Sequence, residues 1–325
     1  MVHAITVHET GGPDVLRWEE VSVGAPGPGE VRLRHTAVGL NYIDTYFRSG
    51  LYPAPAGLPF IPGNEGAGVV EAVGEGVTHL SAGDRVAYAG PLGAYSEERL
   101  IAADRLVRIP EGIDDRTAAA MMLKGMTARY LLRQTYKVTS ETVLLFHAAA
   151  GGVGLIAGQW AATLGATAIG TVGSDEKAEL ARANGYAHVI NYRTENFVER
   201  VKEITGGKLC DVVYDSVGKD TYPGSLDCLK PRGLWVSFGQ SSGPIEDFNL
   251  AMLSAKGSLF ATRPTLFSYI AERADLEETA NDLFDVVGSG AVTIAVNQDY
   301  PLKDAKRAHE DLQGRKTTGA SVLLP

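Results

Sequence analysis

An apolar run ending in a turn almost free of side chains stands in the middle of the chain. Val143-Leu144-Leu145-Phe146 leads into His147-Ala148-Ala149-Ala150-Gly151-Gly152-Val153-Gly154. The apolar residues read as a buried strand, and the glycines let the backbone come close to a ligand where a helix starts. A helix start carries unpaired N–H groups and a partial positive charge, so the chemistry it suits is contact with a pyrophosphate. The spacing is that of G-x-G-x-x-G, with Ala149 in the first place and Gly151 and Gly154 in the other two. Ala149, Gly151, Gly152, Val153 and Gly154 are therefore the candidate phosphate contacts.

The flanking elements complete a βαβ unit, with a helix over 155–164 and a strand over 167–172. In such a unit an acid about twenty residues past the glycines holds the ribose hydroxyls of NAD. Nineteen residues after Gly154 stands Gly173, and Asp175 comes only two positions later. Ser174 and Lys177 offer a hydroxyl and an ammonium instead, which predicts NADPH as the cofactor. Ser174 also suits a helix N-cap. Its capping-box partner would be Glu or Gln, but Lys177 stands there, and a cation in a first helical turn makes electrostatic sense beside an anion. Tyr192, just after the third strand, is a further candidate to cover the phosphate or the adenine.

Composition narrows the function classes. The 325 residues are 45% hydrophobic, enough for about two domains with real cores. A net charge of -9 and a pI near 5.3 argue against nucleic acid as the main partner. No charge occurs from Val143 to Gly173, yet glycines with His147 and Gln159 interrupt that run, so a buried βαβ unit is expected rather than membrane insertion. The N-terminus has no secretory pattern. Only Cys210 and Cys228 occur, which points to a reducing compartment and a cytoplasmic protein.

From 143 to 262 strands and helices alternate, the pattern of a doubly wound parallel sheet of six strands. Further strands are expected at 188–190, 211–215, 234–238 and 258–262, with helices at 175–184, 195–204 and 219–229. Residues 1–124 read as short alternating strands with Gly and Pro turns, and the tail returns to that style. The expected design is α/β: a β-rich domain from 1–124 and 264–325, and a Rossmann domain at 125–263. Pairing of the strand near 258–262 across a two-fold axis gives an expected homodimer.

Motifs along nearly the whole chain then fall into one order: Pro26-Gly27-Pro28-Gly29-Glu30-Val31, Asn41-Tyr42-Ile43-Asp44, Pro62-Gly63-Asn64-Glu65-Gly66-Ala67-Gly68, Ala82-Gly83-Asp84-Arg85-Val86 and the glycine turn. In these the chain resembles the medium-chain dehydrogenases/reductases, which implies that the β-rich domain is a GroES-like catalytic domain. The zinc alcohol dehydrogenases of that superfamily have Cys where Asn41 stands and His where Asn64 stands, so the resemblance implies no metal site here. Without a Lewis acid the expected substrate needs little activation, and the chain resembles the zinc-independent quinone oxidoreductase, zeta-crystallin-like, branch. Val212 to Gly218, Gly233 to Gly239 and Lys256 to Leu259 carry the same likeness.

That resemblance implies direct hydride transfer from NADPH to a quinone, driven by proximity and orientation. It suggests Asn41 and Thr127 beside the nicotinamide, and Phe238, Gly239, Ser241 and Arg263 along the cofactor. Tyr46 and Tyr52 suit stacking on a flat ring and donation of a hydrogen bond. Asn41 could equally be a loop amide held by backbone, and His147 reads as structural. Two alternatives stay open: reduction of the C=C bond of α,β-unsaturated aldehydes or ketones, and an NADPH-binding protein that contacts RNA.

Overall fold

The computed structural model describes residues 1–325, and its internal contacts divide it into two compact units. The first contains 1–126, 270–284 and 294–325, and the second 127–269 and 285–293. The expected bounds differ at three short segments: 125–126 fall in the first unit, and 264–269 and 285–293 in the second, where contacts hold them. Tyr269 stacks on Tyr130 with ring centroids 4.4 Å apart, and Thr293 N–H donates to Gln159 Oε1 at 2.8 Å.

In the first unit β1 (Val2–Val7) pairs antiparallel with β2 (Leu16–Val21). A larger sheet is built on β3 (Glu30–Leu40), β4 (Glu65–Val73), β5 (Arg85–Ala89), β6 (Glu98–Ala102) and β7 (Val107–Arg108). Strand β3 shows why: Val31, Leu33, His35 and Ala37 alternate inward, the period-2 signal of a one-faced strand. Helix α1 (Tyr42–Ser49) follows β3 directly, and α2 (Asp115–Tyr130) carries the chain to the second unit.

The second unit has six strands: β8 (Val143–Phe146), β9 (Thr167–Val172), β10 (His188–Asn191), β11 (Cys210–Asp215), β12 (Leu229–Ser237) and β13 (Phe260–Thr262). They are all parallel in the order β10-β9-β8-β11-β12-β13. Chain direction reverses its winding between β8 and β11, and ligands of such sheets bind there, at the carboxyl ends of the strands. Helices α3 (Gly152–Thr163), α4 (Asp175–Ala183) and α5 (Phe197–Ile204) connect the first four strands.

Several elements are shorter than the sequence predicts, two of them for reasons visible in the backbone. The helix expected over 219–229 is reduced to α6 (Gly224–Asp227), because Asp215 draws the Val217 and Gly218 N–H groups and the Thr221 hydroxyl into a turn and Pro223 has no N–H to give. The sixth strand starts at Phe260 because Ser258 takes a left-handed backbone, φ 56°, after the short α7 (Ala251–Ala255). Beyond it come α8 (Leu266–Tyr269) and α9 (Arg273–Gly288).

The chain then returns to the first sheet with β14 (Val296–Pro301), α10 (Ala305–Gln313) and β15 (Ala320–Leu324). Sheet order is β14-β15-β3-β4-β5-β7, with β6 also on β3. Val31, Leu33, Val38, Val70, Val86 and Leu323 form the centre of its core.

Close packing of α3 on the second sheet depends on Gly158. A Cβ there would run into the ring of the buried Tyr186 and the carbonyl of Asn184, and Tyr186 in turn donates from its hydroxyl to Gly154 O at 2.7 Å. Gly158→Ala is expected to lower stability by about 1–3 kcal/mol, the usual effect of overpacking. Chemical denaturation would measure it; an unchanged midpoint would refute the close-approach argument.

Candidate active site

The glycine turn is fixed by its own backbone. His147 N–H donates to Tyr214 O at 3.0 Å and Ala149 N–H to Thr171 O at 3.0 Å, so the turn is strapped to β11 on one side and β9 on the other. Gly151 is the extended residue before α3, and Gly151, Gly152 and Val153 are half-buried. The first N–H groups of a helix have no acceptor within it, and here they belong to Gly152, Val153 and Gly154, since Gly151 N–H donates to Ala148 O at 2.9 Å. A Cβ on Gly154 would strike the carbonyls of Ala148 and Ala149. Ala149 is fully buried with its methyl over Gly170, where a Cβ would come within 2.6 Å. The alanine in the first glycine position is thus accommodated by a glycine on the next strand.

His147, Ser225 and Asp215 look like a hydrolytic triad and are not one. Ser225 Oγ donates to Asp215 Oδ2 at 2.7 Å, so His147 Nε2, 3.0 Å from Ser225 Oγ, must be the protonated nitrogen. Thr171 completes the set at Nδ1, 2.9 Å away, and all four side chains are buried. The serine proton points away from the histidine, and the set braces the loop after β11.

Gly173 lies beside Tyr192: a Cβ there would be 2.6 Å from the tyrosine hydroxyl and 3.7 Å from Arg193 Nε. Ser174 caps α4, accepting from Lys177 N–H at 3.3 Å. The hydroxyl also serves the exposed Glu176, whose carboxyl is held below its usual range by a backbone N–H and by Ser174. Asp175, the acid nearest the expected ribose position, is tied elsewhere, its Oδ1 accepting from Asn191 Nδ2 at 2.8 Å. Gly173, Ser174, Lys177 and Tyr192 come together at one corner. Arg193 and Glu176 join them unannounced; only the adjacency of Arg193 to Tyr192 could have signalled the cation.

At the carboxyl end of β12, Phe238 packs on Phe146 with centroids 5.6 Å apart. Gly239 lies against Ser216, where a Cβ would be 2.6 Å from the Ser216 carbonyl, and Ser241 N–H donates to that same carbonyl at 3.1 Å. Arg263 Nη1 donates to Ser237 O at 3.0 Å and Gly239 O at 2.7 Å, so this guanidinium braces the loop.

In the first unit, Glu65 is fully buried, and its Oε2 accepts from Asn41 Nδ2 and from Lys124 Nζ, both at 2.7 Å. Its Oε1 accepts from Leu123 N–H at 2.8 Å. Asp44 is equally buried and accepts from Asn41 N–H at 2.9 Å, Asn64 Nδ2 at 2.8 Å and Tyr95 OH at 3.0 Å. Arg48 donates to His309 Nδ1 at 3.0 Å, which leaves Nε2 to donate to the Tyr95 hydroxyl at 3.0 Å. Asn41 is therefore engaged by a side chain 24 residues away rather than by loop backbone alone. No group of three His, Cys, Asp or Glu side chains is placed to hold a metal ion.

Helix α1 presents aromatic rings beside this network. Tyr46 lies 5.7 Å from Tyr42 and 5.2 Å from Tyr52, centroid to centroid. The structure thus gathers Asn41, Tyr46 and Tyr52 in the first unit, while Thr127, 8% exposed on α2, belongs to the second with the nucleotide residues.

With this geometry in view, comparison with known proteins is informative. Residues 27–111 match the family described as alcohol dehydrogenase GroES-like domain, and residues 152–293 that described as zinc-binding dehydrogenase. A quinone oxidoreductase of Pseudomonas aeruginosa is 58% identical over 97% of each chain. The chain belongs to the zinc-independent quinone oxidoreductase family of medium-chain dehydrogenases/reductases. The structure of Escherichia coli quinone oxidoreductase complexed with NADPH superposes with a TM-score of 0.97 at 53% identity, over 99% of this chain and 100% of that one. A 2-haloacrylate reductase of Burkholderia is 51% identical over 100% of this chain and 99% of its own. Among these quinone oxidoreductases the shared framework covers nearly the entire chain.

The buried titratable groups set the response to pH. Burial, with Arg48 beside it, holds His309 at about 3, and burial with Arg99 does the same to His35, against an ordinary 6.5. The unfolded chain therefore binds protons that the fold refuses, and stability falls as pH drops from about 6.5 towards 3. Asp44 opposes this: burial raises it to about 6 despite Asn64, the Asn41 N–H and Tyr95, so the fold gains between about 6 and 3.8. Two histidines outweigh one carboxylate. The melting temperature is expected to fall between pH 6.5 and 5, and His309→Gln to flatten that slope; a slope unaffected by the substitution would contradict the assignment.

Proposed function

We propose that the protein is a quinone reductase that takes its hydride from NADPH and needs no metal ion. The observation that carries the cofactor choice is the ribose corner. Gly173 brings no carboxylate there and lets the Tyr192 hydroxyl approach, Ser174, Lys177 and Arg193 supply one hydroxyl and two cations, and Asp175 is held by Asn191. The quinone rests on the relatives, named quinone oxidoreductases at up to 58% identity over nearly all of the chain.

When bound, NADPH supplies a hydride from its nicotinamide ring. Gly151 to Gly154 would hold its pyrophosphate on the start of α3, and Ser174, Lys177, Tyr192 and Arg193 its 2′-phosphate. Phe238, Gly239 and Ser241 would flank the cofactor, with Arg263 holding their loop in shape. Asn41 and Thr127 would border the nicotinamide, and Tyr46 and Tyr52 would stack on the quinone. A quinone that gains a hydride needs one further proton, for which these tyrosine hydroxyls or water are the donors. Glu65 already has its charge answered by the Lys124 ammonium, so no divalent cation is required there.

Steady-state turnover with NADPH and NADH against quinones, enals and 2-haloacrylate tests this reading. Activity confined to the C=C substrates would overturn the quinone assignment, and tight NADPH binding without turnover would favour a binding role. Lys177→Ala is expected to lower kcat/KM for NADPH by about tenfold, the value of one charge-assisted contact, with little change for NADH. Glu176→Ala should act in the opposite direction, since its carboxylate competes with phosphate for Ser174. An NADPH to NADH preference unmoved by both changes would refute the corner.

No helix is long and apolar enough to cross a membrane, and the protein is taken to work in the cytoplasm as a homodimer. Strand β13 is a sheet edge with Phe260 61% exposed, which supports pairing with a second copy there. Light scattering should give twice the chain mass, and Phe260→Lys should halve it; a monomeric wild-type mass would dispose of the dimer.

A further inference from the structure

An open groove of about 650 Å³ lies in the first unit, within the size range of small-molecule sites. Its walls come from Thr6 of β1, the end of β2 with the chain after it, the loop from Ala54 to Ile61, the turn from Pro91 to Gly93, and the start of β6. Its polar side chains are Ser22, Thr6, Glu98 and Arg99, and the last three are engaged elsewhere. Arg99 donates to the carbonyls of Pro91 at 3.0 Å and Leu92 at 2.8 Å, Glu98 is held by Arg32 at 2.6 Å, and Thr6 is bonded to Glu19. An occupant would meet hydrocarbon with almost no directional polar partner, which selects an apolar ligand.

The overhanging loop points the same way. Leu51-Tyr52-Pro53-Ala54-Pro55-Ala56-Gly57-Leu58-Pro59 has no charged residue, and Leu51 and Leu58 are 42% and 49% exposed. Apolar surface concentrated on one loop beside a groove marks a place where something apolar docks. Chain connectivity ties one wall of the groove to the aromatic cluster. Tyr52, 5.8 Å from Phe47 and 5.2 Å from Tyr46, is two residues before Ala54, and Ile61 is three residues before Asn64.

We propose that this groove takes the hydrocarbon substituent of a quinone whose ring lies at Tyr46 and Tyr52, making alkyl- or prenyl-substituted quinones the preferred substrate class. The inference rests on the quinone reading above. Each methylene drawn from water into the groove should improve kcat/KM by about two- to fourfold, less at the open rim than at its floor.

The test compares 1,4-benzoquinone with its 2-propyl, 2-hexyl and 2-decyl derivatives, in the wild-type protein and in Ala56→Glu and Leu92→Ser. The expected result is a rise in kcat/KM of at least about tenfold along the series, reduced severalfold by either substitution. Calorimetric binding of the 2-decyl compound without NADPH gives a readout independent of turnover. No gain with chain length, or a gain that survives both substitutions, would overturn the groove assignment while leaving reduction of the bare ring intact. Association with phosphatidylcholine vesicles without any chain-length effect would likewise overturn it, assigning the loop to a bilayer surface. If no quinone turns over, the functional reading fails, and the binding measurement still decides the groove.

Discussion

Glu65 is a carboxylate with no exposure to water, and much of the first unit is arranged around answering its charge. Lys124 supplies the counter-charge from α2, Asn41 the second donor from the start of α1, and Leu123 a backbone N–H. Removing one member of a buried ion pair typically costs about 3–5 kcal/mol, because the other charge is left without a partner. The pair therefore fixes α2 against β4, and space is made for it at Gly39, where any side chain would overlap the carboxylate. Asn41 links this pair to a second buried acid, Asp44, through its backbone N–H, and the hydrogen bonds then run through Tyr95 and His309 to Arg48. Donor and acceptor are set at each step, so α1 has one permitted orientation, and with it the rings of Tyr42 and Tyr46, against which Tyr52 packs.

The second unit solves a different electrostatic problem. A dinucleotide fold must place positive charge at the phosphates and either offer or withhold a carboxylate at the ribose. Here the acid is present in the sequence and withheld by a tether, Asp175 to Asn191, between α4 and β10. The same logic governs His147, Ser225 and Asp215, whose proton directions commit them to holding a loop. Residue identity alone would misread both sets.

Periodicity and turn chemistry made the six parallel strands, the glycine turn and the β-rich outer segments legible in the sequence. The Ser174 cap was legible too, since the residue type and the following helix act locally. What remained hidden depends on distant partners. Asn41 gives no hint that its amide meets Glu65 and, through it, Lys124, and Arg193 reaches Gly173 only because β9 and β10 are neighbours. The shortened α6 was misjudged for a similar reason: helix-compatible residues were overruled by a buried aspartate ahead of them. Local physics writes the elements, and long-range polar satisfaction decides their ends and their use.

The position of β15 has a consequence for the order in which the protein is made. This strand sits inside the first sheet, between β14 and β3, although its residues are 320–324 and those of β3 are 30–40. On a ribosome adding about 5–20 residues per second, β3 must wait many seconds for its neighbour, while all of β8 to β13 has already emerged. The nucleotide unit can thus finish folding while the earlier half still has an open sheet edge. A strand at 320–324 completes a sheet begun at residue 30.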